Sequence, residues 1–267
     1  MYGDRLNVSP RVLRYGLAVG KQLFALSGRP FDLVIWYNRG MPKPFIIPKL
    51  ASAVVGPTVQ DVLRFTDHDM VIVRPASADH LLDLNSTHHA FSQDEYLPYW
   101  ATLWPTAEIL AAYLLSFNWK QDLKAIELGC GLGVCGIAGL LSGLDVTFTD
   151  YDQTALSFAE ENARINGWPQ VKTMTYDWRC RLGEAFDVVL ASDVLYERRN
   201  IGPLVETLKA LMAVGGEAII ADPNRPYGQD FTKALLASGF DYERAPQLRV
   251  VTDGKEVAAT IYRIKRR

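Results

Sequence analysis

Apolar and polar positions along the chain fall into short runs whose spacing predicts alternating strands and helices from about residue 123 onward. The run Lys124-Ala-Ile-Glu-Leu128 reads as a strand, a glycine loop follows it, and residues 134–142 carry the spacing of a helix. A second strand is predicted over 145–149, a second helix over 154–166 and a third strand over 171–175. Residues 186–192 are apolar enough for a fourth strand buried on both faces. A helix over 201–212, a strand over 216–222, a helix over 229–238 and a closing strand over 257–264 complete the series, with 241–244 as the candidate partner of the last strand. Upstream, 70–74 predicts a short strand and 77–83 a helical turn. This alternation belongs to an α/β protein with an open, mostly parallel, doubly wound sheet.

The pattern is different before residue 70. Residues 11–26 have helical spacing and 31–37 read as a strand, but Pro42, Pro44, Pro48 and Pro57 then interrupt the periodicity. The expected organisation is therefore an N-terminal extension over 1–69 and one domain over 70–267.

Composition narrows the classes. A formal net charge of −2 gives no basic footprint for nucleic acid. The cysteines Cys130, Cys135 and Cys180 form no CxxC pair, which argues against a zinc site or a disulfide framework and for a reducing cytoplasm. No uncharged apolar stretch is long enough to span a membrane, and the N-terminus lacks the pattern of a signal peptide. His88-His89 has no third ligand at helical spacing and reads as a solvated loop pair, so no metal is expected.

The candidate chemistry lies in Glu127-Leu-Gly-Cys-Gly-Leu-Gly133, where alternate glycines between a strand and a helix let a ligand approach backbone amides. Gly131-Leu-Gly-Val-Cys-Gly136 also satisfies the dinucleotide pattern GxGxxG, and Asp150 stands at the distance of a ribose-binding acid, so a nicotinamide enzyme is a rival reading. Glu127 offers a dinucleotide's pyrophosphate nothing, but suits a ligand ammonium such as that of S-adenosylmethionine. Asp177-Trp178, after the third strand, suits an adenine: the carboxylate accepts from the exocyclic amine and the indole flanks the ring. Ser192-Asp193-Val-Leu-Tyr196 sets a carboxylate and a phenol at the end of the fourth strand.

Together with Leu97-Pro-Tyr-Trp-Ala-Thr-Leu-Trp-Pro105, these segments resemble the seven-β-strand lysine methyltransferases, the nicotinamide N-methyltransferase-like group. Pro98-Tyr-Trp-Ala101 with Asp222-Pro-Asn-Arg225 is most similar to the branch that methylates the electron-transfer flavoprotein β-subunit, although Asn224 stands where that branch usually has glycine. The resemblance implies a Rossmann-like class I methyltransferase fold, with a seven-stranded sheet whose last strand is antiparallel, and S-adenosyl-L-methionine as cofactor. It implies a cofactor site of Trp104, Glu127, Gly129, Cys130, Gly131, Asp150, Tyr151, Asp177, Trp178 and Ser192, with Asp193 and Tyr196 at the catalytic centre. The implied acceptor is a protein lysine. A small amine is the alternative, and neither a nucleic acid nor a membrane is an expected partner.

Overall fold

The computed structural model describes residues 34–36, 55–180, 182–245, 247–252 and 255–267. The helix expected over 11–26 lies outside them, as does most of the strand expected over 31–37, of which Val34–Trp36 is strand β1. The strands that follow are β2 (Thr58–Arg64), β3 (Asp69–Pro75), β4 (Lys124–Leu128), β5 (Asp145–Asp150), β6 (Lys172–Thr175), β7 (Phe186–Ser192), β8 (Met212–Asp222), β9 (Phe240–Arg244), β10 (Leu248–Thr252) and β11 (Lys255–Arg266). The helices are α1 (Asp79–Leu82), α2 (Asn85–Asp94), α3 (Pro105–Leu115), α4 (Val134–Leu141), α5 (Gln153–Ile165), α6 (Ile201–Leu211) and α7 (Gly228–Ala237).

The main sheet runs β1-β10-β11-β8-β7-β4-β5-β6, with β9 on β11. Strands β4 to β8 pair in parallel, while β11 runs antiparallel to β8, β9 and β10. The expected sheet is thus present, and it is extended: β9 and β10 follow one another along the same edge of β11, and β1 lies parallel to β10. From β4 the chain moves outward through β5 and β6, then returns to place β7 on the other side of β4. The carboxyl ends of β4 and β7 therefore flank the point where strand order reverses, the place where open sheets of this kind hold ligands.

Alternation along the central strands supplies both faces of the sheet with core. Ala125, Val188, Leu190, Ile219 and Ala221 join one buried cluster with residues of α3, α4 and α5. Ile126, Leu128, Val189, Ala191, Ala218 and Ile220 join the other with residues of α6 and α7. Helix α3, which the sequence pattern did not announce, is buried at almost every position from Thr106 to Leu114, so it carries no polar stripe to set a 3.6-residue period. His88 and His89 are exposed as expected, but on helix α2 rather than in a loop.

Strands β2 and β3 form a separate antiparallel hairpin, and the turn between residues 64 and 69 adjoins the expected domain boundary. Its edge is fastened to α5 by side-chain amides. Asn162, fully buried, accepts the Val73 N–H at 2.8 Å and donates to the carbonyls of Val73 at 3.1 Å and Leu132 at 2.9 Å. Asn166 accepts the Val71 N–H and donates to its carbonyl in the same manner. Because Leu132 belongs to the glycine loop, one side chain links hairpin, helix and loop. Replacing Asn162 with Ala orphans those buried groups and is expected to cost about 2–4 kcal/mol, read as a lower midpoint in denaturant unfolding.

Candidate functional site

The strand β4 ends at Leu128 and helix α4 begins at Val134. The intervening loop turns through positive φ at Gly129 (62°), Gly131 (51°) and Gly133 (81°). At Gly129 glycine is required by contact as well as by torsion. A Cβ at Gly129 would lie 3.0 Å from Cζ3 of Trp178, whereas one at Gly131 would make an ordinary contact, 3.5 Å from Cα of Trp100, so that position needs glycine for its torsion alone. The first turn of α4 is tighter still: a Cβ at Gly136 would fall 2.2 Å from the Phe148 ring and 2.6 Å from Oε2 of Glu127.

Around this loop opens a cavity of about 310 Å³. It brings together Trp104, Gly129, Cys130, Gly131, Asp150, Tyr151, Trp178, Ser192, Asp193 and Tyr196. Asp177 lines an adjoining hollow of about 120 Å³ with Tyr96 and Tyr151, and there it is paired with Arg179. Glu127 lines neither. Its side chain points away from Ile126 and Leu128, toward α4, where Oε2 accepts the Gly136 N–H at 2.8 Å. Burial pushes its carboxyl up to about 8, against the pull of that amide. Glu127 thus braces the start of α4 from behind the loop, a role set by its parity in the strand.

Asp150 closes β5 beside the loop. Its Oδ2 accepts the Gly131 N–H at 3.0 Å and its Oδ1 the Asp152 N–H at 3.0 Å. Burial raises this carboxyl to about 6, and the amides restrain the rise. Asp152 in turn caps α5 by accepting the Thr154 N–H and takes the phenol of Tyr96. The segment from Tyr96 to Trp104 lies over the loop as an aromatic strap. The Tyr99 ring meets Tyr196 edge-on at 5.5 Å and Trp104 at 6.3 Å, and the Trp104 indole N–H donates to the Tyr99 carbonyl at 2.9 Å. The thiols of Cys130 and Cys135 are pushed well up by burial, so they are not nucleophiles.

Asp193 follows β7 with φ of 57°, its amide held by the Ala221 carbonyl at 2.9 Å. Its carboxylate is met by a residue that the sequence reading gave no role: Arg225, on the loop after β8 and itself on the cavity wall. The loop is shaped for this contact. Asn224 has φ of 61°, accepts the Thr260 hydroxyl at 2.6 Å and donates to the Ala258 carbonyl at 3.2 Å. Asparagine tolerates the left-handed region better than most residues, as this loop requires of position 224. Asp222 accepts the Arg225 N–H at 2.9 Å, and burial lifts its carboxyl to about 6. The signal for Arg225 was its place after β8, the strand next to β7.

A family model described as lysine methyltransferase matches residues 87–235. The chain belongs to this lysine methyltransferase family. It is 30% identical to the electron transfer flavoprotein beta subunit lysine methyltransferase of Danio rerio, over 50% of this chain and 53% of that protein. It is also 30% identical to the EEF1A lysine methyltransferase 3 of Mus musculus, over 62% of this chain and 72% of that protein. The chain spans about half the length of the first of these relatives. Among solved structures, the ribosomal protein L11 methylase from Lactobacillus delbrueckii subsp. bulgaricus shares the fold, with a TM-score of 0.50 at 20% identity over 61% of this chain and 78% of that one. The architecture is that of a class I methyltransferase, whose cofactor is S-adenosyl-L-methionine.

The cavity fits that cofactor. Gly129 and Gly131 line the cavity, the Asp150 carboxylate can accept from ribose hydroxyls, and the Trp178 indole on its wall supplies aromatic surface for an adenine. Hydroxyl donors need Asp150 ionised, so affinity for S-adenosylhomocysteine is expected to fall below pH 6, by up to about tenfold per unit. Calorimetric titration from pH 7.5 to 5 measures this, and Asp150→Asn should weaken binding at pH 7.5 and flatten the profile.

Glu127 makes a separate prediction. A carboxyl raised from 4.5 to about 8 on folding stabilises the fold below 4.5 and loses that contribution as pH rises through about 8. Thermal unfolding at pH 6 and pH 9 should show Glu127→Gln losing less stability than the unaltered protein over this interval.

Proposed function

We propose that this chain transfers a methyl group from S-adenosyl-L-methionine to the side-chain amine of a lysine in a protein substrate. The observation that carries the reading is the position of Asp193 and Tyr196 on the wall of the cofactor cavity, at the end of the strand beside the glycine loop, in a member of a lysine methyltransferase family. Two of its relatives, a lysine methyltransferase of an electron transfer flavoprotein beta subunit and one of EEF1A, support a protein acceptor.

The bound cofactor supplies a methyl carried on a positively charged sulfur. The chain's own residues position the acceptor. Asp193 accepts an N–H of the incoming amine and so orients its lone pair. The Tyr196 phenol, kept protonated by burial, stands beside it. The faces of Tyr99 and Trp104 steady cationic groups by cation–π attraction of about 0.5–2 kcal/mol, while the strap excludes water.

The working domain in this reading is 70–267, with β2 paired to its first strand and residues 1–69 as an extension. The free cysteines favour a reducing cytoplasm as its compartment. No helix among the described residues is long and apolar enough to cross a membrane, and neither a membrane nor a nucleic acid is proposed as a partner.

Incubation with radiolabelled S-adenosylmethionine and a cell lysate should put label into a protein band, at a lysine located by mass spectrometry. Label confined to the small-molecule filtrate sinks the protein acceptor. Asp193→Ala should hold S-adenosylhomocysteine within a few-fold of normal and lose about 10²-fold or more in turnover. Weakened cofactor binding with unimpaired single-turnover transfer rejects the catalytic assignment.

A further inference from the structure

The carboxylates on the cavity wall are Asp150, Asp193 and Glu197, and each already has partners. Asp150 takes the amides of Gly131 and Asp152. Glu197 is ion-paired with Arg199. Asp193 receives both Nε, at 2.8 Å, and Nη2 of Arg225 on the same oxygen, Oδ1, and its Oδ2 takes no hydrogen bond among the described residues. The side chain of Asp193 is 9% exposed and that of Arg225 is 30% exposed, so the pair is shielded yet reaches the cavity. Asp222 lies behind it, 1% exposed, holding the Arg225 amide. The other titratable groups at this wall are the phenols of Tyr99, Tyr151 and Tyr196 and the buried thiol of Cys130. A protonated amine entering here meets a guanidinium and a carboxylate whose charge that guanidinium has already balanced.

We propose that Arg225 is a positioning residue that makes the site select its acceptor as the free amine, by neutralising Asp193 while holding Oδ2 in place to accept an N–H. The proposal rests on the reading of the cavity as a methyl-donor and amine site. A like charge at close range disfavours the ammonium form, so the amine leaves its proton to solvent on entering. Transfer then balances without a base in the protein. The nitrogen lone pair forms the C–N bond, the S–C bonding pair returns to sulfur, and the methylated ammonium gives up its proton to water as it leaves. Two features beyond the pair itself fix the geometry: the left-handed Asp193, and the left-handed Asn224 pinned to β11.

The test uses n-butylamine as probe, titrated at pH 8 into the full chain loaded with S-adenosylhomocysteine. Calorimetry in two buffers of different ionisation enthalpy reads the proton balance. A free amine has a pKa near 10.4, so binding of the neutral form should release about one proton per amine. Arg225→Met should bring release close to zero, because the amine then binds as ammonium against an uncompensated Asp193. Arg225→Lys, which keeps the charge, should restore most of it. Equal release in the unaltered protein and Arg225→Met overturns the proposal, as does amine binding without release in the unaltered protein, or an absence of amine binding to the loaded protein. Failure of S-adenosylhomocysteine itself to bind refutes the underlying reading instead. The Lys variant and the cofactor affinity of both variants separate this outcome from misfolding.

Discussion

The cavity depends on how closely helix α4 can approach the sheet. Gly136 lies against the Phe148 ring with no room for another carbon, and its amide is held by the buried carboxyl of Glu127. That contact fixes where α4 starts, and so the path of the glycine loop leading into it. The loop's path fixes which amides Asp150 can accept and where Trp100 and Trp178 come to rest. A larger residue at 136 would lift the helix and disturb every wall of the cavity. Interiors packed at native density transmit such displacements rather than absorb them.

The central strands were legible in the sequence because their apolar residues serve both faces, and the acidic residues at their ends were legible because they stop those runs. Asp150 and Asp193 are there for that reason, each at the carboxyl end of a strand. Other parts were not legible for specific physical reasons. Helix α3 is buried almost all round and loses its period. Strand β2 lies among prolines and pairs only locally. Strand β10 is short and gains its meaning from β11, which follows it.

The site followed the same rule. The sequence suits Glu127 to a ligand ammonium, but residue type alone does not say which way a strand turns a side chain. Its alternation with Ile126 and Leu128 places it toward α4 and away from the ligand space. Arg225 was hidden for the opposite reason. It lies in a loop without periodicity, and its link to Asp193 spans 32 positions of chain, a distance over which only tertiary structure makes neighbours. The aromatic strap was read as a cluster; which rings meet is decided by the turn at Tyr99–Ala101.

Asn162 has one consequence for motion. The hairpin of β2 and β3 adds nothing to the main sheet's ladder, and such an appendage would ordinarily open by itself. Since the same amide grips Val73 and Leu132, opening the hairpin also releases the loop beneath the cofactor cavity. One side chain ties the opening of the hairpin to that of the loop. A peripheral ornament is thereby made a lock on the centre.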